Sequence, residues 1–224
     1  MTQEILNNFQ KEVLKYLGKN KFVKNFYWTG GTCLAYFYLR HRRSLDLDFF
    51  SGELFNELYY INFAKDLKSS LKLKKIDFKQ EQNRFHYLLY KNKKTLKLEL
   101  VYFPFKNSGR IKTDKEYGIK IDSLQDIMAN KVLAAYQRKE PKDIFDLYVY
   151  LTKTKKNLSM LLKLVEKKFG VNIELSLFIA KVNGNIKLIS DIKPFIFDIE
   201  NNLIIKIRNF FQGIFNEELK ARLK

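Results

Sequence analysis

The sequence predicts an α+β fold, a sheet-forming first part followed by a helical C-terminal domain. Three observations carry that expectation. Runs with strand composition lie between residues 26 and 103, and from Ser123 onward the apolar residues recur at helical spacing. The polar, lysine-containing stretch from Thr152 to Asn157 then separates two blocks of apolar pattern. Domains are accordingly expected at 1–152 and 157–224.

Taken in order, Ile5, Phe9, Val13, Leu14 and Leu17 recur at helical spacing and give an amphipathic first helix ending near Gly18. A short strand is expected at 26–28. Gly30 and Gly31 then turn the chain into a helix from Thr32 to about Arg40. In the apolar run that follows, Asp46 and Asp48 sit two apart, so a strand points both from one face and Leu45, Leu47 and Phe49 from the other. A second helix is expected at 53–69, with Leu54, Leu58, Ile61 and Leu67 as its stripe, and a strand at 71–79.

The β-rich runs 84–90 and 95–103, separated by Lys91-Asn92-Lys93-Lys94, form a hairpin. Leu96, Leu98 and Leu100 share one face of its second strand, and Glu99 lies on the other beside Lys97 and Val101. Ser123-Leu124-Gln125-Asp126 is a capping-box-like start for a helix reaching about Arg138, and Pro141 opens another that buries Ile144, Leu147, Tyr148 and Leu151. Helices at 158–169, 173–182 and about 197–223 complete the chain.

Composition narrows the class. At 224 residues and 46% hydrophobic, the chain can bury a core. Its 42 Lys and Arg against 24 acidic residues leave a formal charge of +18, which fits a polyanionic partner such as nucleic acid; a Lys-, Asn- and Ile-rich composition is the other source of such a charge. Cys33 is the only cysteine, which rules out an internal disulfide, and one cysteine with two histidines offers no zinc spacing. Acidic and amide residues interrupt positions 1–17, so no leader core is expected. No apolar run is long enough to span a bilayer. The expectation is a cytoplasmic protein with no membrane partner.

The chemistry concentrates in two places. Asp46 and Asp48 side by side repel each other unless a cation neutralises them, and oxygen-only ligands favour a hard ion such as Mg2+. The preceding glycine turn opens a helix whose free amides suit a phosphate. Together these are the parts that metal-dependent nucleotide chemistry needs. Glu99, taken alone, reads as a solvated strand residue paired with a neighbouring lysine. Further on, Lys131 shares a face with Leu124, Ile127 and Ala135, where a lysine either snorkels or meets a ligand. Asp143 and Asp146 lie near a helix start, where the dipole favours acids.

Two blocks carry a family likeness. Gly30-Gly31-Thr32 followed by His41-Arg42-x-Ser44-x-Asp46-x-Asp48-Phe49-Phe50 is the first; Ala129-x-Lys131, Arg138 and Lys142-Asp143-Ile144-x-Asp146-Leu147 is the second. In these blocks the chain resembles the bacterial nucleotidyltransferases of the AbiEii/AbiGii toxin type, within the DNA polymerase β-like superfamily. The likeness spans about 26–151 and is loose beyond. It implies the nucleotidyltransferase fold, a mixed sheet flanked by helices.

It also implies transfer of a nucleoside monophosphate from an NTP to an acceptor hydroxyl, with release of pyrophosphate. By resemblance, Asp46 and Asp48 hold Mg2+, and Glu99 completes a two-metal site and with Asp46 activates the acceptor. Amides near Gly30, Gly31 and Thr32 cradle the β- and γ-phosphates, Lys131 adds a mobile charge to them, and Asp143 sits near the nucleotide or second metal. Arg42, Ser44 and Arg138 act as scaffolding or phosphate contacts. Members act as toxins in toxin–antitoxin or phage-defence pairs, and some modify the tRNA 3′ end. The implied partners are therefore an NTP, an RNA acceptor such as tRNA, and a cognate antitoxin. Two other readings stand beside this one: a catalytically inactive nucleotide- or RNA-binding protein on the same fold, and a small-molecule nucleotidyltransferase. An intact carboxylate set argues against the first, and a compact acceptor pocket would mark the second.

Overall fold

The computed structural model describes residues 4–223. The first three residues of the segment read for a leader, and Lys224 of the expected C-terminal domain, lie outside them. Packing divides the chain into two compact units, one up to Leu124 and one from Gln125 onward. That division falls ahead of the expected boundary at 152–157.

The first unit carries a seven-stranded mixed sheet. Its elements are α1 (Asn8–Lys19), β1 (Tyr27–Thr29), α2 (Gly30–Cys33), β2 (Leu47–Ser51), α3 (Glu57–Ser70), β3 (Lys75–Glu81), β4 (Arg84–Lys91), β5 (Lys94–Tyr102), β6 (Lys112–Thr113) and β7 (Lys120–Ile121). The strand order is β3-β4-β5-β2-β1-β7-β6. β2 lies parallel to β5 and antiparallel to β1, while β1 lies parallel to β7. The β4–β5 hairpin forms as expected, with Asn92 at φ 53° in its turn.

Strand alternation decides what the sheet buries. Leu47 and Phe49 of β2, Leu96, Leu98 and Leu100 of β5, and Phe85, Tyr87 and Leu89 of β4 point to a buried face. Tyr60 of α3 stacks on Phe85 there, and Phe63 meets Tyr87 edge-on. The stripe expected for α3 is corrected: Leu67 is buried as expected, but Leu54 and Leu58 are 68% and 63% exposed, and Tyr60, Phe63 and Ala64 are buried in their place. The reason is the N-cap, since Asn56 accepts from the Leu58 amide and starts the helix at Glu57. From that start Tyr60, Phe63, Ala64 and Leu67 form the i, i+3, i+4, i+7 set. Leu45, expected opposite the carboxylates, precedes β2 and is exposed.

α1 begins with a reciprocal capping box between Asn7 and Gln10 and buries Phe9, Val13, Leu14 and Leu17. α2 starts at Gly30, earlier than expected, and runs straight into a π-helical segment, Leu34–Leu39, ended by Arg40 at φ 49°. β6 and β7 have no counterpart in the sequence reading, because two-residue strands are too short to show a period.

In the second unit α4 (Leu124–Gln137), α5 (Pro141–Thr154), α6 (Leu158–Phe169), α7 (Leu175–Asn185) and α8 (Leu203–Arg222) follow one another, with a 3-10 stretch, Ile186–Phe195, before α8. α5 packs on that stretch and on α8, and so belongs with the C-terminal helices. α8 starts later than the expected 197 because Pro194 and the left-handed Asn202, φ 59°, interrupt the chain ahead of it. Among the described residues no helix is long and apolar enough to cross a membrane.

Candidate active site

The site is built on the register of three strands. Thr29 of β1 pairs with Asp48 of β2, Asp48 with Glu99 of β5, and Glu99 with His86 of β4. Directly paired residues share a face, so Asp48 and Glu99 stand next to each other on the side opposite the buried face. Asp46, two residues before Asp48, is just ahead of β2.

The glycine turn is fitted to these carboxylates. Gly30 has φ +75°, a left-handed conformation, and a Cβ there would lie 2.0 Å from Asp48 Oδ2. At Gly31 a Cβ would meet Arg42 Nη2 at 2.7 Å and Ser44 Oγ at 3.1 Å. Arg42 is itself buried and donates to the Arg43 carbonyl. Thr32 donates its hydroxyl to the Asp46 carbonyl, so the helix start holds the backbone ahead of β2 through a side chain. From the other side Gln10, buried in α1, donates to the Ser44 and Leu45 carbonyls at 2.9 and 3.1 Å. Gly30, Gly31, Thr32, Arg42, Ser44, Asp46 and Asp48 thus form one constellation.

Glu99 is brought to that constellation, but with company. Its carboxylate contacts the Lys97 ammonium, Arg84 Nη1 at 3.0 Å and His86 Nδ1 at 3.2 Å. Burial alone would raise its pKa; Lys97, then His86 and Arg84, outweigh burial and hold the carboxyl below the usual range. Among the described residues no three His, Cys, Asp or Glu side chains converge on one point as a ready cation cage. The donor set of Asp46, Asp48 and Glu99 is all oxygen, which fits a hard divalent ion once Glu99 exchanges a partner.

Asp122 was not singled out in the sequence. It is fully buried, accepts from Thr29 Oγ1 at 2.7 Å and from Asn107 Nδ2 at 3.1 Å, and its carbonyl accepts from Tyr38. It thereby fixes Thr29 beside Asp48. No local pattern marks it, since it acts on a strand far away in the chain. Arg84 and His86 were equally unmarked, because they meet Glu99 only through the β4–β5 register, whereas Lys97, two residues away on the same strand, is the neighbouring lysine the sequence pointed to. Cys33 is buried nearby, and burial, then Asp122 and Asp48, push its thiol well up, which leaves it inert.

The second unit holds the remaining expected residues as one ion cluster. Lys131 Nζ lies 2.6 Å from Asp143 Oδ1 and 2.7 Å from Asp146 Oδ2, and Arg138 Nε lies 2.8 Å from Asp143 Oδ2. The lysine on an apolar face therefore neither snorkels nor waits alone; two acids of the next helix meet it. Burial would raise the Asp143 pKa, but Lys131 and Arg138 hold it below the usual range. The capping-box acid Asp126 is buried too, paired with Lys168 at 2.7 Å.

A sheet of this order with a carboxylate row beside a glycine turn is the framework of a nucleotidyltransferase. The profile described as nucleotidyl transferase AbiEii toxin, type IV toxin–antitoxin system, matches residues 12–222. The chain belongs to that family. An uncharacterised protein of Aquifex aeolicus is 27% identical over 219 residues, 93% of this chain and 98% of its own length. Two Helicobacter pylori crystal structures share the fold. One, described as a candidate nucleotidyltransferase, has TM-score 0.58 at 22% identity, covering 94% of this chain and 93% of its own. The other, JHP933, has TM-score 0.57 at 21% identity, covering 96% and 94%.

Proposed function

We propose that this nucleotidyltransferase is a Mg2+-dependent toxin that transfers a nucleoside monophosphate from an NTP to a hydroxyl of RNA, at the tRNA 3′ end, in the cytoplasm, under the control of a cognate antitoxin. The observation that carries the reading is the register Thr29–Asp48–Glu99, which sets two carboxylates side by side against the Gly30 turn. Asp46, Asp48 and Glu99 would hold two Mg2+ ions, which when bound supply charge neutralisation at the triphosphate and a more acidic acceptor hydroxyl.

The chain's own groups do the rest. Amides at Gly30, Gly31 and Thr32 bind the β- and γ-phosphates, with Arg42 and Ser44 shaping the turn. The acceptor oxygen bonds to the α-phosphorus as the bond to the bridging β-phosphate oxygen breaks, and pyrophosphate leaves with that electron pair. Asp46 and Glu99 are the carboxylates assigned to receive the hydroxyl proton. Lys131, with Arg138 beside it, is assigned to the triphosphate. Asp143 pairs with both cations, and its role toward the nucleotide or second metal is carried over from the family likeness. A formal charge of +18 supports a polyanionic acceptor.

The test is incubation with each labelled NTP, Mg2+ and total cellular RNA. Label should enter RNA of tRNA size with one nucleotide class preferred. Label in a small-molecule fraction, or no transfer with any NTP, would refute the RNA reading.

A further inference from the structure

Lys97 is the residue of the carboxylate face that the transfer chemistry leaves unexplained. It lies on β5 two residues before Glu99, on the same face, and the pairing of Leu47 with Leu98 sets it alongside the start of β2, which Asp46 immediately precedes. Its ammonium contacts Glu99 directly. Arg84 and His86 also reach Glu99, but from β4, on the side of β5 away from β2. Lys97 is thus the cation on the strand that borders the aspartates. Since Asp48 pairs with Glu99 in the same register, the ammonium stands on the face that carries all three carboxylates.

We infer that Lys97 is a displaceable placeholder cation: its ammonium neutralises the Asp46, Asp48 and Glu99 row before a divalent ion binds and must leave Glu99 when one enters, so that Lys97 sets the metal affinity of the site. A lysine suits this role, because it is a compact point charge on a flexible stem. Its side chain is 42% exposed, so it can swing into solvent without crossing the core. The arrangement also accounts for a carboxylate row that is stable before loading, since unneutralised like charges at this spacing repel.

The inference rests on the metal-site reading above, and the experiment separates the two. Metal-stripped protein is titrated with Mn2+ and no nucleotide, followed by electron paramagnetic resonance and by thermal unfolding. Lys97→Met should bind Mn2+ about ten-fold more tightly than the parent chain, with a lower melting temperature before loading and a larger gain on loading. Lys97→Gln repeats the measurement if the methionine variant fails to fold, and Lys97→Arg, which keeps the charge, should show no such gain. If Lys97→Met and Lys97→Gln bind Mn2+ as the parent does or more weakly, or Lys97→Arg gains as much as they do, the inference is overturned. Asp48→Asn judges the site itself. Loss of Mn2+ binding in that variant leaves the metal reading standing whatever Lys97 does, whereas unchanged binding removes both.

Discussion

A single methyl group at position 30 would both strain the backbone and drive Asp48 out of its place, because the site has no room on either count. Gly30→Ala is expected to cost about 1–3 kcal/mol from its left-handed φ alone, before Asp48 moves, and to remove transfer activity. Gly31→Ala meets Arg42 Nη2 at 2.7 Å, a milder clash than the 2.0 Å at Gly30 and without the left-handed φ, so it should cost less stability. Denaturant unfolding of the two variants checks the order, and an equal or reversed order would contradict the geometry. Glu99 supplies a pH signature. Its folded pKa is depressed, so its contribution to stability is present above the unfolded carboxylate value of about 4.3 and is lost as pH falls through the folded value. Glu99→Gln should therefore lower stability at neutral pH, and the gap to the parent chain should close below about pH 4. Unfolding curves across that range decide it.

Between elements, α4 and α5 are tied by the Lys131, Asp143, Asp146 and Arg138 cluster. Lys131→Met leaves two buried carboxylates without their shared cation and should destabilise the second unit by about 3–5 kcal/mol. Asp143, also depressed in pKa, adds to the loss of stability in acid in the same sense as Glu99. A Lys131→Met protein as stable as its parent in thermal unfolding would show that the cluster is not a structural tie. Local signals made much of this level legible. The bounds of α6 match the expected 158–169, because Asn157 caps one end and the left-handed Gly170 the other. The face on which Glu99 stands followed from Leu96, Leu98 and Leu100 claiming the opposite one, although its pairing with Asp48 comes from the parallel β2–β5 ladder. Long-range partners were not legible. Asp122 under Thr29, Gln10 under Ser44, and Arg84 on Glu99 each depend on which strand or helix lies next door, and no spacing within one element encodes that. The stripe of α3 misled because leucines at its start are exposed ahead of, or within, the first turn, while aromatic residues take the buried positions.

At the scale of the whole molecule the formal charge of +18 predicts how the acceptor is held. If the acceptor is RNA, binding should fall steeply and linearly in log affinity against log salt, the mark of counterion release, and filter binding between about 50 and 200 mM salt measures the slope. A flat salt dependence would favour a small neutral acceptor. Mass action would reach the whole unit as well, since a divalent ion held only by the folded carboxylates, as proposed, would raise the melting temperature. The central claim is that Asp46 and Asp48 form the reacting carboxylate pair, and the most direct measurement of it is single-turnover transfer from labelled NTP to RNA by folded Asp48→Asn protein in Mg2+. The proposed reading predicts a loss of about a thousand-fold or more with the unfolding transition retained, because a proposed metal ligand would be removed while the backbone register stays. Turnover equal to that of the parent chain in the folded variant would contradict the assignment.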